Sequence, residues 1–105
     1  MAETVVNELS RIWITVKFKD KGGVGETPSD VSWKVYDWID GTKLSSGTET
    51  PSTSIEIEVT STVNAIRSGR LYERRVLNVL ATHTSGIHHS EQSWLVKNLG
   101  FSAST

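Results

Sequence analysis

The residues of this chain best suited to metal chemistry are three histidines near its C-terminal end. His83, His88 and His89 lie close together in the sequence, and neutral imidazole is the commonest side-chain ligand of transition metals. Glu91 is the nearest acidic residue that could join them, and the chain contains no cysteine. The pattern therefore favours solvent-exposed histidines in the loop of the last hairpin over a metal site, and we expect no cofactor.

Catalytic arrangements of other kinds are weaker still. A serine, a histidine and an aspartate can be chosen from the chain, but no strand-turn-helix nucleophile elbow surrounds any serine. Glu56 and Glu58 share one strand face, an arrangement suited to paired glycosidase carboxylates, yet their alternation with apolar residues indicates a solvated face. The glycine-rich stretch 21–25 lacks the Gly-Lys-Ser/Thr ending of a phosphate loop. The sequence predicts a protein that is not an enzyme.

Composition describes one globular domain. The chain has 105 residues, of which 36% are hydrophobic and 22% charged, values typical of folded soluble proteins. Its 11 basic and 12 acidic residues give a formal charge of −1, which lacks the electrostatic footprint of a nucleic-acid-binding protein. No signal peptide or apolar run of membrane-spanning length is present, so we expect neither secretion by a signal peptide nor a membrane partner.

The elements that must position these residues are β-strands. Between Leu9 and Lys19, apolar residues alternate with polar ones, which is the pattern of a half-buried strand. Similar runs recur between polar turns, and no stretch carries a helical stripe of comparable strength. Seven strands are predicted, near 4–6, 9–19, 31–38, 43–45, 54–60, 71–83 and 92–99.

This spacing predicts an all-β fold, an immunoglobulin-like Greek-key β-sandwich of about seven antiparallel strands. We expect an N-terminal arm over residues 1–8, the sandwich over 9–99 and a C-terminal tail over 100–105. Trp33 is predicted to fill the centre of the sandwich. The loop 20–30 is predicted to be a surface connection, and 61–69 to cross between sheets with Val63 and Ile66 buried.

Trp13, Tyr36 and Trp38 could form an exposed aromatic platform for sugars or for a protein partner. Trp13 carries most information, because its strand position faces away from Ile12 and Ile14. It is flanked by Arg11, Thr15 and Lys17, and two interpretations remain open for it: a partner contact, or a cover for the open edge of the core.

The chain also resembles small immunoglobulin-like proteins encoded among the structural genes of tailed bacteriophages and prophages. The resemblance covers about residues 9 to 99 and is carried by strand patterns and turns. The matching segments are Pro28-Ser29, Trp33-Lys34-Val35-Tyr36-Asp37, Gly41-Thr42, Ser54-Ile55-Glu56-Ile57, Asn64-Ala65-Ile66, Glu73-Arg74-Arg75-Val76-Leu77 and Trp94-Leu95-Val96-Lys97-Asn98-Leu99.

The resemblance implies a virion component, assembled in the host cytoplasm, and a capsid decoration or cement protein on the outer surface of the major capsid protein is the first expectation. A neck or tail accessory protein and a carbohydrate- or cell-surface-binding module are the alternatives. The partner would be the major capsid protein or another virion protein, and self-association as a dimer or trimer remains open. The expected partner-binding residues lie on the arm, the 20–30 loop and the Trp13 strand: Val5, Val6, Arg11, Trp13, Lys17 and Val24.

Overall fold

A computed structural model describes residues 4–19, 22–84 and 86–99, and these residues form seven β-strands and no helix. None of them belongs to a helix long and apolar enough to cross a membrane. The strands are β1 (Val5–Asn7), β2 (Ile12–Lys17), β3 (Asp30–Asp37), β4 (Lys43–Glu49), β5 (Ser54–Val59), β6 (Tyr72–His83) and β7 (Gly86–Lys97). The all-β prediction is confirmed.

The strands form a five-stranded sheet in the order β1-β7-β6-β3-β4 and a two-stranded sheet of β2 and β5. All neighbours are antiparallel except β1 and β7, which pair in parallel with Val5 opposite Leu95. The prediction of antiparallel strands throughout is therefore wrong at this edge, because β1 and β7 are not joined by a hairpin and period-two alternation carries no information about strand direction.

Alternation places one face of each sheet in a common core. In β5, Ile55, Ile57 and Val59 are buried while Glu56 is exposed, as a period of two requires. The core cluster takes residues from both sheets and from the segment after β5: Val16, Phe18, Val31, Val35, Ile55, Ile57, Val59, Val63, Leu77, Val79, Ala81, Trp94 and Val96. The predicted burial of Val63 in the 61–69 crossover is confirmed, whereas Ile66 packs against the core only partly buried.

The tryptophan at the centre of the core is Trp94, which is 2% exposed, and the prediction for Trp33 is wrong. Trp33 is only partly buried and lies over β4, where Gly47 faces it and the indole Nε1 donates a 3.0 Å hydrogen bond to Glu49. A Cβ at Gly47 would approach Cζ2 of this indole to 2.8 Å. The glycine thus leaves room for Trp33 at the margin of the core.

Strand boundaries differ most around the last hairpin. β7 begins at Gly86, well before the predicted 92, and its ladder with β6 runs from Tyr72–Lys97 to His83–Gly86. The segment 86–91 has no clear apolar alternation because both of its faces are largely exposed, so pairing with β6 rather than burial makes it a strand. The predicted tail and residues 1–3 of the predicted arm lie outside the described residues.

Candidate protein-binding surfaces

Trp13 lies on the outer face of the two-stranded sheet and is 53% exposed. The guanidinium carbon of Arg11 lies 5.1 Å from the centre of the Trp13 ring, in a cation–π contact. The same guanidinium donates a 2.5 Å hydrogen bond to Glu58 on β5. With Lys17 further along β2, this face holds three of the six predicted partner-binding residues.

The other three predicted residues lie elsewhere. Val5 and Val6 belong to β1 at the edge of the five-stranded sheet, where Val5 is 51% exposed and Val6 packs partly buried against the core. Val24 is exposed in the loop between β2 and β3, which is closed by a bridge between Lys19 and Gly25. The structure therefore divides the predicted set among two strands of different sheets and one loop.

A larger apolar surface lies at one end of the molecule, where β1, β3 and β7 end and β6 begins. We call it the apolar end. Its six large side chains are each between 42% and 64% exposed: Leu9, Trp38, Ile39, Leu71, Tyr72 and Leu99. Exposed apolar side chains gathered at one end of a domain are typical of protein-binding sites.

Hydrogen bonds between the strand ends hold these side chains in sequence across the sheet. The Leu99 N–H donates to a carboxylate oxygen of Glu8 at 2.8 Å, and the Asn98 N–H donates to the Leu71 carbonyl at 2.8 Å. On the other side of β6, the Trp38 N–H donates to the Arg74 carbonyl at 3.1 Å. The apolar end is therefore a continuation of the β-ladder and not a set of separate loops.

Leu9 has a backbone φ of 63°, in the left-handed region. A leucine pays a steric penalty there that glycine does not. The residue occupies the short connection between β1 and β2, and its side chain is 46% exposed. Strained conformations of this type persist at sites where the side chain has a use, which is consistent with binding at the apolar end.

A buried ionic cluster supports the apolar end from inside. Glu73 and Arg75 are 2% and 0% exposed, and Arg75 Nη2 donates a 2.9 Å hydrogen bond to Glu73. The Arg75 guanidinium also donates to the carbonyls of Val63 and Ala65, at 2.9 and 2.7 Å. The cluster thus ties the 61–69 crossover to the first residues of β6.

The hydrogen bonds of Glu73 decide its ionisation. Burial raises the pKa of the carboxyl, but hydrogen bonds from the Ser68 hydroxyl, the Ser68 and Arg67 N–H groups and Arg75 outweigh it and lower the pKa to about 2. Arg67 also donates a 2.6 Å hydrogen bond to Asp37, which raises the pKa of the guanidinium. Glu73 is accordingly a carboxylate at neutral pH.

A shallow groove of about 470 Å³ crosses the outer face of the five-stranded sheet. Its polar groups come from three neighbouring strands, with Lys34 opposite Asn78 and Asn78 opposite Glu91. Tyr36 and Leu80 supply apolar surface, and His89 lies at the β7 side. Such a groove can offer both stacking and hydrogen bonding to a small polar ligand.

The three histidines do not converge. His83 Nδ1 lies 3.0 Å from a carboxylate oxygen of Glu26, and the His83 and His88 rings both contact Phe18 edge-on. His89 lies on the opposite face, in the groove. All three are strand residues, so the predicted loop position is wrong. The predicted exposure is confirmed for His88 and His89 and is wrong for His83, whose side chain is only 8% exposed. Within the described ranges no group of three or more metal-ligating side chains forms.

The predicted aromatic platform is also dispersed. Trp13 lies on the two-stranded sheet, Tyr36 on the outer face of the five-stranded sheet and Trp38 at the apolar end. Sequence analysis missed the apolar end because its residues come from four separate chain segments. One available signal was Leu71, an apolar residue whose period-two neighbour along the chain, Glu73, is charged and not apolar.

Comparisons of the chain with protein-family models, with curated proteins and with solved structures find no match.

Proposed function

We propose that this chain is a non-enzymatic bacteriophage virion structural protein, a decoration or cement protein that binds the outer surface of the major capsid protein. The observation that carries the proposal is the apolar end. A small domain that presents six large exposed apolar side chains on a hydrogen-bonded frame is suited to a protein interface, and multiple copies on a shell would add many weak contacts.

The proposed fold is an immunoglobulin-like Greek-key sandwich. In that architecture the second and fifth strands share one sheet, and the third, sixth and seventh share the other. The order found here agrees with that division. β1 and β4 both join the larger sheet, which differs from the constant-type arrangement and leaves β2 and β5 as a narrow second layer.

Counting copies in purified virions tests the proposal. We expect hundreds per particle, measured by quantitative mass spectrometry against the major capsid protein, because only the shell offers that many equivalent positions. A few to a few tens of copies would favour a neck or tail accessory role instead. Absence from virions would contradict the virion role altogether.

A matched pair of variants tests the binding end. Leu71→Ser removes an exposed side chain of the apolar end, and Ile87→Ser removes one of similar exposure on β7 near the opposite end of the same sheet. We expect the first to lower occupancy on capsids lacking the protein by about tenfold, as for a residue near the centre of an interface, and the second to leave it unchanged. Equal occupancy of both variants would contradict docking through the apolar end.

The groove on the five-stranded sheet favours one second candidate, a carbohydrate-binding module. Tyr36 supplies a ring beside Lys34, Asn78 and Glu91, a combination suited to stacking and hydrogen bonding with a sugar. Trp33 borders the groove, so titration with host-surface glycans should change tryptophan fluorescence. Asn78→Ala should abolish that change, and no change with any glycan in the wild-type protein would exclude this candidate.

A further inference from the structure

The two-stranded sheet leaves one edge of β2 without a strand neighbour among the described residues. The Phe18 N–H donates to the Thr53 carbonyl at 2.8 Å, in register with the β2–β5 ladder. Bonded pairs recur at every second residue of an antiparallel ladder, so Val16, Ile14 and Ile12 also bond to β5. The backbone N–H and C=O groups of Trp13, Thr15 and Lys17 therefore point away from β5.

β5, which occupies one edge of β2, shows which residue pattern pairs with this strand. It alternates buried Ile55, Ile57 and Val59 with outward Glu56 and Glu58. Trp13 lies opposite Glu58 and Thr15 opposite Glu56. The acidic positions of β5 thus meet the outer face of β2, where Arg11 binds Glu58.

The outer face of β2 carries one basic side chain, Lys17, that lies opposite no acidic residue of β5. The residue opposite Lys17 on β5 is Ser54 and not a carboxylate. Trp13 and Lys17 flank Thr15 along this edge, and Ile12 and Ile14 are only partly buried on the inner face. An added strand with inward apolar and outward acidic residues would cover the isoleucines and face Lys17.

We propose that the free edge of β2 binds an extended segment of a partner protein in which apolar and acidic residues alternate. The backbone N–H and C=O groups of Trp13, Thr15 and Lys17, which point away from β5, supply about six main-chain hydrogen bonds, as in other cases of strand addition. A lysine on an edge strand opposes pairing with strands that lack negative charge, so Lys17 makes the edge selective. This surface is distinct from the apolar end and does not depend on the proposed virion role.

A peptide with the sequence of residues 53–60, TSIEIEVT, is the probe. In amide hydrogen-exchange NMR of the full chain, we expect the peptide to protect the N–H groups of Trp13, Thr15 and Lys17. A control peptide with both glutamates replaced by lysine should bind at least about tenfold more weakly, because it places like charges beside Lys17. Equal binding of the two peptides, or protection confined to other amides, would overturn the proposal.

Two proline variants provide a matched test, since Thr15 and Glu56 lie opposite each other and both point their N–H groups away from the ladder. At either position, proline removes only a backbone N–H group that makes no hydrogen bond within the β2–β5 ladder. Thr15→Pro should weaken peptide binding by about tenfold or more, whereas Glu56→Pro should bind normally. Equal loss in both variants would overturn the assignment to β2, and if Thr15→Pro fails to fold, the wild-type exchange pattern decides alone.

A second copy of the chain is the competing occupant, because its β5 has the same alternation. Sedimentation of the wild-type protein distinguishes the two. We expect no association between copies at concentrations where the peptide binds. Association that both proline variants abolish would mean that β2 of one copy pairs with β5 of another, and it would overturn the partner segment.

Discussion

Replacing Glu73 by glutamine should make the stability of this fold less sensitive to acid. The pKa of Glu73 falls from 4.5 to about 2 on folding, so its contribution to stability is complete above pH 4.5 and is lost as the pH falls toward 2. At about 1.4 kcal/mol for each pH unit, the interval corresponds to about 3 kcal/mol. The Glu73→Gln variant should therefore be less stable by about 3 kcal/mol at pH 7, a value within the range for breaking a buried ion pair.

Urea unfolding followed by tryptophan fluorescence, at intervals from pH 7 to pH 2, measures this difference directly. The gap between the wild-type protein and Glu73→Gln should shrink from about 3 kcal/mol at pH 7 to less than about 1 kcal/mol at pH 2, because the wild-type carboxyl takes up a proton over that range. Glu56→Gln is the control, since Glu56 is exposed on β5, and it should follow the wild-type curve. A gap that stays constant from pH 7 to pH 2 would refute the role given to the Glu73 hydrogen bonds.

Three further perturbations test the fold. Gly47→Ala should lower the free energy of unfolding by about 1–3 kcal/mol and alter the near-ultraviolet circular dichroism of Trp33, because the new methyl group would lie 2.8 Å from the indole. The control Ser46→Ala, on the exposed face of β4, should change neither quantity. A Gly47→Ala variant that changes neither would contradict the packing of Trp33 on Gly47. Trp94→Phe should cost about 2–4 kcal/mol in chemical denaturation, because it leaves the buried Asn64 Oδ1 without the 2.9 Å hydrogen bond that the indole donates. A cost under about 1 kcal/mol would show that Asn64 Oδ1 finds another donor. Leu9→Gly should raise the melting temperature through a gain of about 0.5–1 kcal/mol in the free energy of unfolding, since glycine adopts the left-handed backbone conformation of residue 9 without steric strain. The same variant should bind capsids more weakly, and stronger binding would contradict a contact role for Leu9.

The last hairpin shows why a sequence pattern can misplace chemistry. His83, His88 and His89 are neighbours in the chain, but β6 and β7 continue through them as paired strands. Strand alternation then sends His88 toward Phe18 and His89 into the groove on the opposite face. Proximity along the chain therefore did not bring the three imidazoles to one face of the sheet.

Local alternation alone determined the all-β class, six of the seven strand positions to within a few residues, and the inward face of β5, because a period of two fixes which side chains can be buried together. It also placed Trp13 on an outward face. The position of Trp33 at the margin of the core could not be read from alternation, since its burial depends on where β4 and the second sheet lie. The apolar end, the buried pair of Glu73 and Arg75 and the free edge of β2 likewise arise from strand order, which joins residues distant in the chain and leaves no trace in local periodicity.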